Sequence, residues 1–566
     1  MIRLILRAVI LLLPLAQLAV CSLNNAFDVR EATIESVHDA LFSRETTCRE
    51  IVSAFIARIE EFNPTLHAIL SLHPDALSVA DHLDQRIAAG NTTGPLFCIP
   101  VLLKDNFDAV GTNTTGGCLA LANNRPLVDA PTVTELKRAG AVILGKTNLH
   151  ELALDGLTVS SLGGQTLNPY DLTRTPGGSS GGTGAAIAAN FAILGTGTDT
   201  INSLRSPASA NSLFSFRPTR GLISRTGVIP VSFTQDAVGA MARDLKDLAV
   251  ALTVMAGVGY DPKDNVTASF SRKLLPGKLQ HKDYTKALKG GSLQGRVFGM
   301  LDGFFNHAAS SETTPVNEVM AEMVKRLEAA GAIVWNVTDP IFNPKTIAGY
   351  GLQEFEFRES LDAYLARPEL SGEPRPKSFH EIYSREGYHS DFLVTPSLPQ
   401  PDYPWRDMIS SSSQGSTSDE LYRRTVKLGP ALDDYVESGF EKGSFDALIY
   451  PEQSNLVVHV GADRQVGRNG MLAALTGRPV ITVPAGFSRP TRDAPIGVPI
   501  GMEILGRKLD EENLLNIAQL ISELVPVRKM PPFAEKAVEP KLYESVPVIK
   551  PNRENIPETY ALGIWV

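Results

Sequence analysis

Two glycine-rich strings that carry serine hold the chemistry-bearing residues of this 566-residue chain. The first is Pro176-Gly177-Gly178-Ser179-Ser180-Gly181-Gly182-Thr183-Gly184, which runs into the helix-like Ala185-Ala186-Ile187-Ala188-Ala189. Glycine at this density lets a backbone approach its neighbours closely and take positive φ. Three readings compete. A phosphate cradle requires Gly-Lys-[Ser/Thr] at its end, and Gly182-Thr183-Gly184 lacks the lysine. Gly178-Ser179-Ser180-Gly181-Gly182 satisfies Gly-x-Ser-x-Gly, but a nucleophile elbow needs a buried strand running into it. Asn168 to Pro176 is polar and bounded by prolines, so no such strand is expected. The third reading is a glycine-rich turn ahead of a helix. The second string, Gly195-Thr196-Gly197-Thr198-Asp199-Thr200-Ile201-Asn202-Ser203-Leu204-Arg205-Ser206-Pro207, offers another serine. Far upstream, the apolar run Phe97 to Leu103 stops at Lys104. A serine hydroxyl becomes a useful nucleophile only when a neighbouring base takes its proton. A lysine can be that base only when burial or nearby positive charge lowers its pKa from about 10.4. Placement directly after Leu102-Leu103 suits that requirement, although a lysine at a strand end is ordinarily solvated.

Taken together, these segments resemble the amidase signature family: a lysine at the end of an apolar strand, Gly-Gly-Ser-Ser-Gly-Gly, then Gly-Thr-Asp-Thr-x-x-Ser-x-Arg. Further similarities follow in the expected order at Gly145-Lys146-Thr147-Asn148, Asn168-Pro169, Arg217-Pro218-Thr219, Ser224-Arg225, Met241-Ala242-Arg243, Leu475-Thr476-Gly477-Arg478-Pro479 and Pro499-Ile500-Gly501-Met502. The resemblance spans roughly residues 29 to 527. It implies Ser203 as nucleophile, Ser179 as a bridging serine on a cis peptide bond after Gly178, and Lys104 as the base. It also implies an oxyanion hole from the backbone N–H groups of Thr200, Ile201, Asn202 and Ser203, and an orienting role for Ser180. Asp199 and Arg205 are expected to brace the nucleophile loop as a buried ion pair. Ile201 and Asn202 stand where the family usually has glycines. Neither is proline, so both N–H groups survive, but a β-branched residue disfavours positive φ. The expectation is therefore a retained hole with Ile201 at negative φ, narrowed on the leaving-group or acyl side.

The activity so implied is hydrolysis of a small-molecule carboxylic amide through an acyl-enzyme, with no cofactor. Two alternatives stay open: esterase or acyl-transfer chemistry on the same triad, and a non-catalytic binding homologue produced by the Ile201-Asn202 replacement. Profiling against varied amides is what would identify the substrate, because the stretch from about 341 to 414 carries no readable motif.

The elements that must position these residues read as an α/β protein. Helical spacing runs from Asp28 to Glu61, short apolar runs at 97–103, 141–145, 447–450 and 480–483 read as buried strands, and helix-compatible segments at 132–139 and 316–330 alternate with them. This alternation favours much parallel pairing. The expected architecture is a single large α/β/α domain, residues 28–537, with a twisted mixed, mostly parallel sheet flanked by helices. Residues 367–414, rich in proline, serine and charge, read as surface excursions, and 538–566 as an extended tail.

Composition bounds the remaining classes. With 43% hydrophobic and 20% charged residues and a net charge of -9, the chain has core-forming material and no basic footprint for nucleic acid. Arg3 and Arg7 followed by the apolar run Ala8 to Val20 read as a signal peptide over residues 1–22, too short for a comfortable membrane span. A secreted or secretory-pathway protein without a stable membrane anchor after cleavage is expected, one that would not meet aminoacyl-tRNA. Sequons at Asn91, Asn113, Asn265 and Asn336 are glycosylation candidates on such a route. Cys48, Cys98 and Cys118 remain after cleavage, which permits one disulfide and one free thiol. For Cys118 a packed or disulfide-bonded state is favoured over a nucleophilic one. His150-Glu151 and His380-Glu381 lack the second histidine of a zinc helix, and no metal is expected.

Overall fold

The computed structural model describes residues 27–269, 282–383, 416–524, 526–539 and 541–557, with the backbone of one short strand pair at 393–394 and 561–562. The signal-peptide reading of residues 1–22 lies outside these. An eleven-stranded sheet runs through the molecule: β1 Ile69–Leu72, β2 Pro100–Lys104, β3 Val142–Thr147, β4 Leu194–Asp199, β5 Phe214–Arg217, β6 Ala237–Ala242, β7 Val297–Leu301, β8 Ile333–Val337, β9 Ala447–Pro451, β10 Val480–Phe487 and β11 Pro499–Leu505. Their spatial order is β1-β3-β2-β4-β6-β5-β10-β11-β9-β7-β8. The sheet is mixed, as expected. Parallel pairing forms two blocks, β3-β2-β4 and β9-β7-β8, and antiparallel pairs carry the sheet from one block to the other and add β1 at its edge.

Helices flank the sheet. Those used below are α1 Ile34–Phe42, α2 Cys48–Leu66, α3 Gly181–Ala188, α4 Arg205–Ala210, α5 Leu245–Ala256, α6 Gln353–Leu365, α7 Glu420–Thr425 and α8 Glu511–Leu524. The first two begin at Thr33 and Thr47, each closing a reciprocal capping box with the residue three positions on. Helices α3 and α4 pack on each other and on the sheet, as do α5 and α8. One large apolar cluster joins α2, β2, β3, β4, α3 and α5, including Phe55, Leu102, Val142, Leu194, Ile187 and Leu248, all essentially without exposure. Among the described residues, no helix is long and apolar enough to cross a membrane.

The 97–103 apolar run begins its strand later than its hydrophobicity suggests. Phe97 to Ile99 form a turn in which Cys98 takes positive φ, and β2 starts at Pro100, where the missing N–H costs no ladder bond. The turn is fixed covalently, because Cys98 is disulfide-bonded to Cys48 at the first turn of α2. Among the described residues Cys118 is the free thiol, wholly buried. No strand runs into the Gly-x-Ser-x-Gly string, so its serine does not sit on an elbow. After 538 the described chain contains no helix; it lies against α2, where Tyr543 Oη donates to Glu60 at 2.6 Å, and reaches Gln165 through Asn555.

The disulfide links segments 50 residues apart in sequence. Cys48→Ser with Cys98→Ser is expected to lower unfolding free energy by about 2–4 kcal/mol, read as a fall in denaturant midpoint. In the same protein, Cys118 should react with a thiol reagent only after unfolding.

Candidate functional site

Three parallel neighbours of the sheet bring the sequence-separated residues together. Strand β2 is buried along its whole length and carries Lys104 at its C-terminal end. Beside it β4 ends at Asp199, followed by the loop that holds Ser203. The Gly-Ser string crosses between them before entering α3, whose close packing depends on Gly182: a Cβ there would lie 2.1 Å from the Asn148 carbonyl oxygen. The Gly178-Ser179 peptide bond is cis, as the resemblance implied. His150 N–H donates to the Ser179 carbonyl at 3.0 Å, and Thr158 Oγ1 donates to the Gly177 carbonyl at 2.7 Å.

Lys104 is wholly buried. Its Nζ donates to Ser179 Oγ at 2.8 Å and to Thr198 Oγ1 at 2.8 Å, and Asn106 Nδ2 donates to the same threonine oxygen at 3.0 Å. Among the described residues no carboxylate pairs with this amine. Burial lowers the Lys104 pKa to about 7, against the upward pull of the Asp199 and Asp236 charges. Lys146, equally buried one strand away on β3, shows the contrast: its Nζ lies 2.7 Å from Asp105 in an ion pair. Of two buried lysines in adjacent strands, one is neutralised by a partner and the other by losing its proton. The neighbouring His150 ring is also buried, and burial lowers it to about 4, so it adds no charge near neutrality.

Ser203 is 5% exposed and lies just ahead of α4. Its carbonyl accepts from Ser180 N–H at 3.1 Å, which ties the residue after Ser179 to the candidate nucleophile, while Ser180 Oγ reaches the Thr198 carbonyl at 3.4 Å. Neither Ile201 nor Asn202 takes positive φ. The N–H groups of Thr200, Ile201, Asn202 and Ser203 find no acceptor among the described residues. The Thr200 side chain also anchors the loop, its Oγ1 donating to Asp236 Oδ1 at 2.6 Å. Ile201 packs its side chain toward a satellite apolar cluster that includes Met471 and Tyr450.

The expected Asp199–Arg205 pair is present and is part of something larger. Arg205 Nε donates to Asp199 Oδ2 at 3.0 Å and Nη1 to Glu503 Oε2 at 2.7 Å, while Arg217 Nη1 donates to Asp199 Oδ1 at 2.7 Å. All four side chains are fully buried. Burial raises the Asp199 carboxyl, but the two guanidiniums outweigh it and hold the group at about 2. Arg205 Nη2 also donates to the Ile201 carbonyl, pinning the loop ahead of Ser203. Sequence reasoning missed Thr198, which stands in the quoted string without a signal of its own. It also missed Arg217 as a partner, and Glu503 and Asp236, whose contacts arise only from strand pairing.

A cavity of about 410 Å³ opens beside this loop, with Thr198, Thr200, Val231, Phe233, Tyr364 and Arg367 in its wall. The cations of its wall are matched within the protein: Arg225 with Asp264 at 2.7 Å, Lys263 with Glu369 at 2.9 Å and Arg367 with Asp108 at 3.0 Å. Of the sequons, Asn91, Asn113, Asn265 and Asn336 are all exposed, but Asn113 Nδ2 is tied to the Ala122 carbonyl at 2.6 Å.

The family model described as Amidase matches residues 50–515. The chain belongs to the amidase signature family. It is a hydrolase acting on carbon–nitrogen bonds. Among curated relatives, one chain of the glutamyl-tRNA(Gln) amidotransferase of Thermoanaerobacter pseudethanolicus is 30% identical, over 86% of this chain and 95% of that protein. A probable amidase of Arabidopsis thaliana is 31% identical, over 90% of this chain and 93% of its own length. Among solved structures, the native peptide amidase from Stenotrophomonas maltophilia superposes with a TM-score of 0.74 at 30% identity, covering 89% of this chain and 99% of the other. These amidase-signature neighbours share the large mixed sheet flanked by helices.

Removing Arg205 leaves the buried Glu503 carboxylate without a cation and Asp199 with Arg217 alone. Arg205→Ala is expected to cost about 3–5 kcal/mol of stability, measured by chemical denaturation.

Proposed function

We propose that this amidase signature protein hydrolyses a small-molecule carboxylic amide through an acyl-enzyme on Ser203, with Ser179 and Lys104 as its proton relay. The observation that carries the reading is the 2.8 Å contact between Ser179 Oγ and a wholly buried lysine amine that has no carboxylate partner among the described residues. A neutral Lys104 accepts the Ser179 proton as Ser179 accepts that of Ser203, and Ser203 Oγ attacks the amide carbonyl. The N–H groups of Thr200, Ile201, Asn202 and Ser203, which have no acceptor among the described residues, are the donors for the oxyanion. The C–N bond breaks as the relayed proton passes back to the leaving nitrogen. Water then repeats the sequence against the ester and releases the acid.

The group that enters the 410 Å³ cavity is uncharged in this reading, because the Arg225, Lys263 and Arg367 cations of its wall already have carboxylate partners within the protein. The relatives named as parts of an amidotransferase belong to larger assemblies; here a free-standing hydrolase is favoured, and a secretory route supports it. That route rests on the signal-like residues 1–22, the Cys48–Cys98 disulfide and the exposed sequons. The sequence reading of 28–537 as the amidase domain and 538–566 as its tail belongs to the same proposal.

Ser203→Ala is expected to lower kcat/KM by at least about 10³-fold toward a responsive amide and to abolish labelling by a fluorophosphonate. A folded wild-type protein that takes no label at Ser203 would favour the non-catalytic alternative. With the wild type, kcat/KM should rise with pH through a limb near 7, where Lys104 loses its proton. A lysine acting as base is inactive while protonated, so activity falls below that limb and holds above it.

A further inference from the structure

Asn202 stands where the family usually has a glycine, and its side chain is wholly buried. It reaches across the molecule to the end of β9: Nδ2 donates to Glu452 Oε1 at 2.7 Å. Glu452, also without exposure, directly follows Pro451 and is held through its backbone, its N–H donating to the Gly501 carbonyl at 3.1 Å. The second atom of each side chain is an orphan, for Asn202 Oδ1 and Glu452 Oε2 are both buried without a partner among the described residues. Two acceptors left bare on side chains that already touch is a costly arrangement, unless one of them carries a proton.

The charges around them decide which. Facing Glu452 are Glu503 on β11, Arg205 on α4, Asp199 at the end of β4 and Tyr450 on its own strand. Arg205 and Arg217 balance Asp199 and Glu503, two cations against two anions, in contacts of 2.7–3.0 Å. An ionised Glu452 would be a third anion with no cation of its own, and Glu503 already takes the Arg205 guanidinium. Burial and the Glu503 charge push the Glu452 carboxyl well above its usual range, against the Asn202 and Arg205 contacts that favour ionisation.

We propose that Glu452 is held as the neutral acid and pairs reciprocally with the Asn202 side-chain amide, Nδ2–H donating to Oε1 and Oε2–H donating to Oδ1, and that this pair positions the oxyanion loop. The pair replaces by anchorage what a glycine would leave free. Asn202 also caps α4, its carbonyl accepting from Arg205 N–H at 3.0 Å and Ser206 N–H at 2.8 Å. With Arg205 on the Ile201 carbonyl and Glu452 on the Asn202 side chain, the two peptide groups ahead of Ser203 are fixed on both sides. Space for this clasp comes from Gly470, where a Cβ would fall 2.3 Å from both Asn202 Cβ and the Ile201 carbonyl oxygen. Glu452 touches no substrate, so it is a positioning residue acting through Asn202.

The inference rests on the acyl-enzyme reading for its kinetic consequence, whereas the protonation itself is read independently by infrared spectroscopy. The wild-type minus Glu452→Gln difference spectrum of the full-length protein should contain the C=O stretch of a protonated carboxyl near neutral pH. Glu452→Gln can still accept from and donate to Asn202, so its kcat should stay within about threefold of wild type. Glu452→Ala should lose about 10–100-fold in kcat with KM within about threefold, the signature of donors misplaced for the transition state. Should Glu452→Ala fail to fold, Asn202→Ala removes the other half of the pair and should show the same split. The proposal is overturned by absence of the carboxyl band, by wild-type kcat in a folded Glu452→Ala or Asn202→Ala, or by Glu452→Gln falling as far as Glu452→Ala. If no amide or ester is turned over by the wild type, the acyl-enzyme reading fails, and the infrared band still decides the protonation.

Discussion

Lys104 Nζ is removed from water at the end of β2 and given two hydroxyl oxygens in place of a carboxylate, and the surrounding structure follows from that arrangement. An ammonium in such a place is expensive, and the amine responds by losing its proton close to neutrality. The parallel block β3-β2-β4 is what makes the burial possible, because strands covered on both faces can end inside the protein. It also explains why Lys146, next door, needs Asp105. A second unpaired lysine in the same layer would double the cost without adding chemistry.

Around the uncharged amine, real charges are arranged so that they cancel. Asp199 and Glu503 are matched by Arg205 and Arg217, all four buried, and Arg205 uses a further donor on the loop ahead of Ser203. The cluster therefore fixes the loop ahead of Ser203, while the Asp199 charge within it pulls the Lys104 pKa upward against burial. Replacement of the family's glycines by Ile201 and Asn202 becomes intelligible in the same terms. Ile201 commits its side chain to an apolar cluster at negative φ, and Asn202 commits its own to Glu452, so the backbone N–H groups remain available.

Much of this is legible in the chain itself. Lys104 can be read because an apolar run ends on it, and Ser179 and Ser203 because their neighbours form dense local strings. Asp199 and Arg205 can be paired because they lie within one such string, six positions apart. The identities of Arg217, Glu452, Glu503 and Asp236 as partners cannot, since each meets its contact only through strand order or a loop that returns from elsewhere in the sequence. Strand onset at 97–99 misleads for a related reason. Hydrophobicity reports burial there, while the disulfide and the positive φ of Cys98 set the conformation. The sheet's mixture of parallel and antiparallel neighbours likewise depends on which strands become adjacent, and periodicity carries no information about that.

The central claim is that Lys104 is a neutral amine near physiological pH because it is buried without a carboxylate. Nuclear magnetic resonance of protein labelled at the lysine side chains, with Lys104→Arg used to assign its signal, titrates that amine directly. A midpoint near 7 is expected for Lys104. A Lys104 midpoint close to the ordinary lysine value of about 10.4 would contradict it.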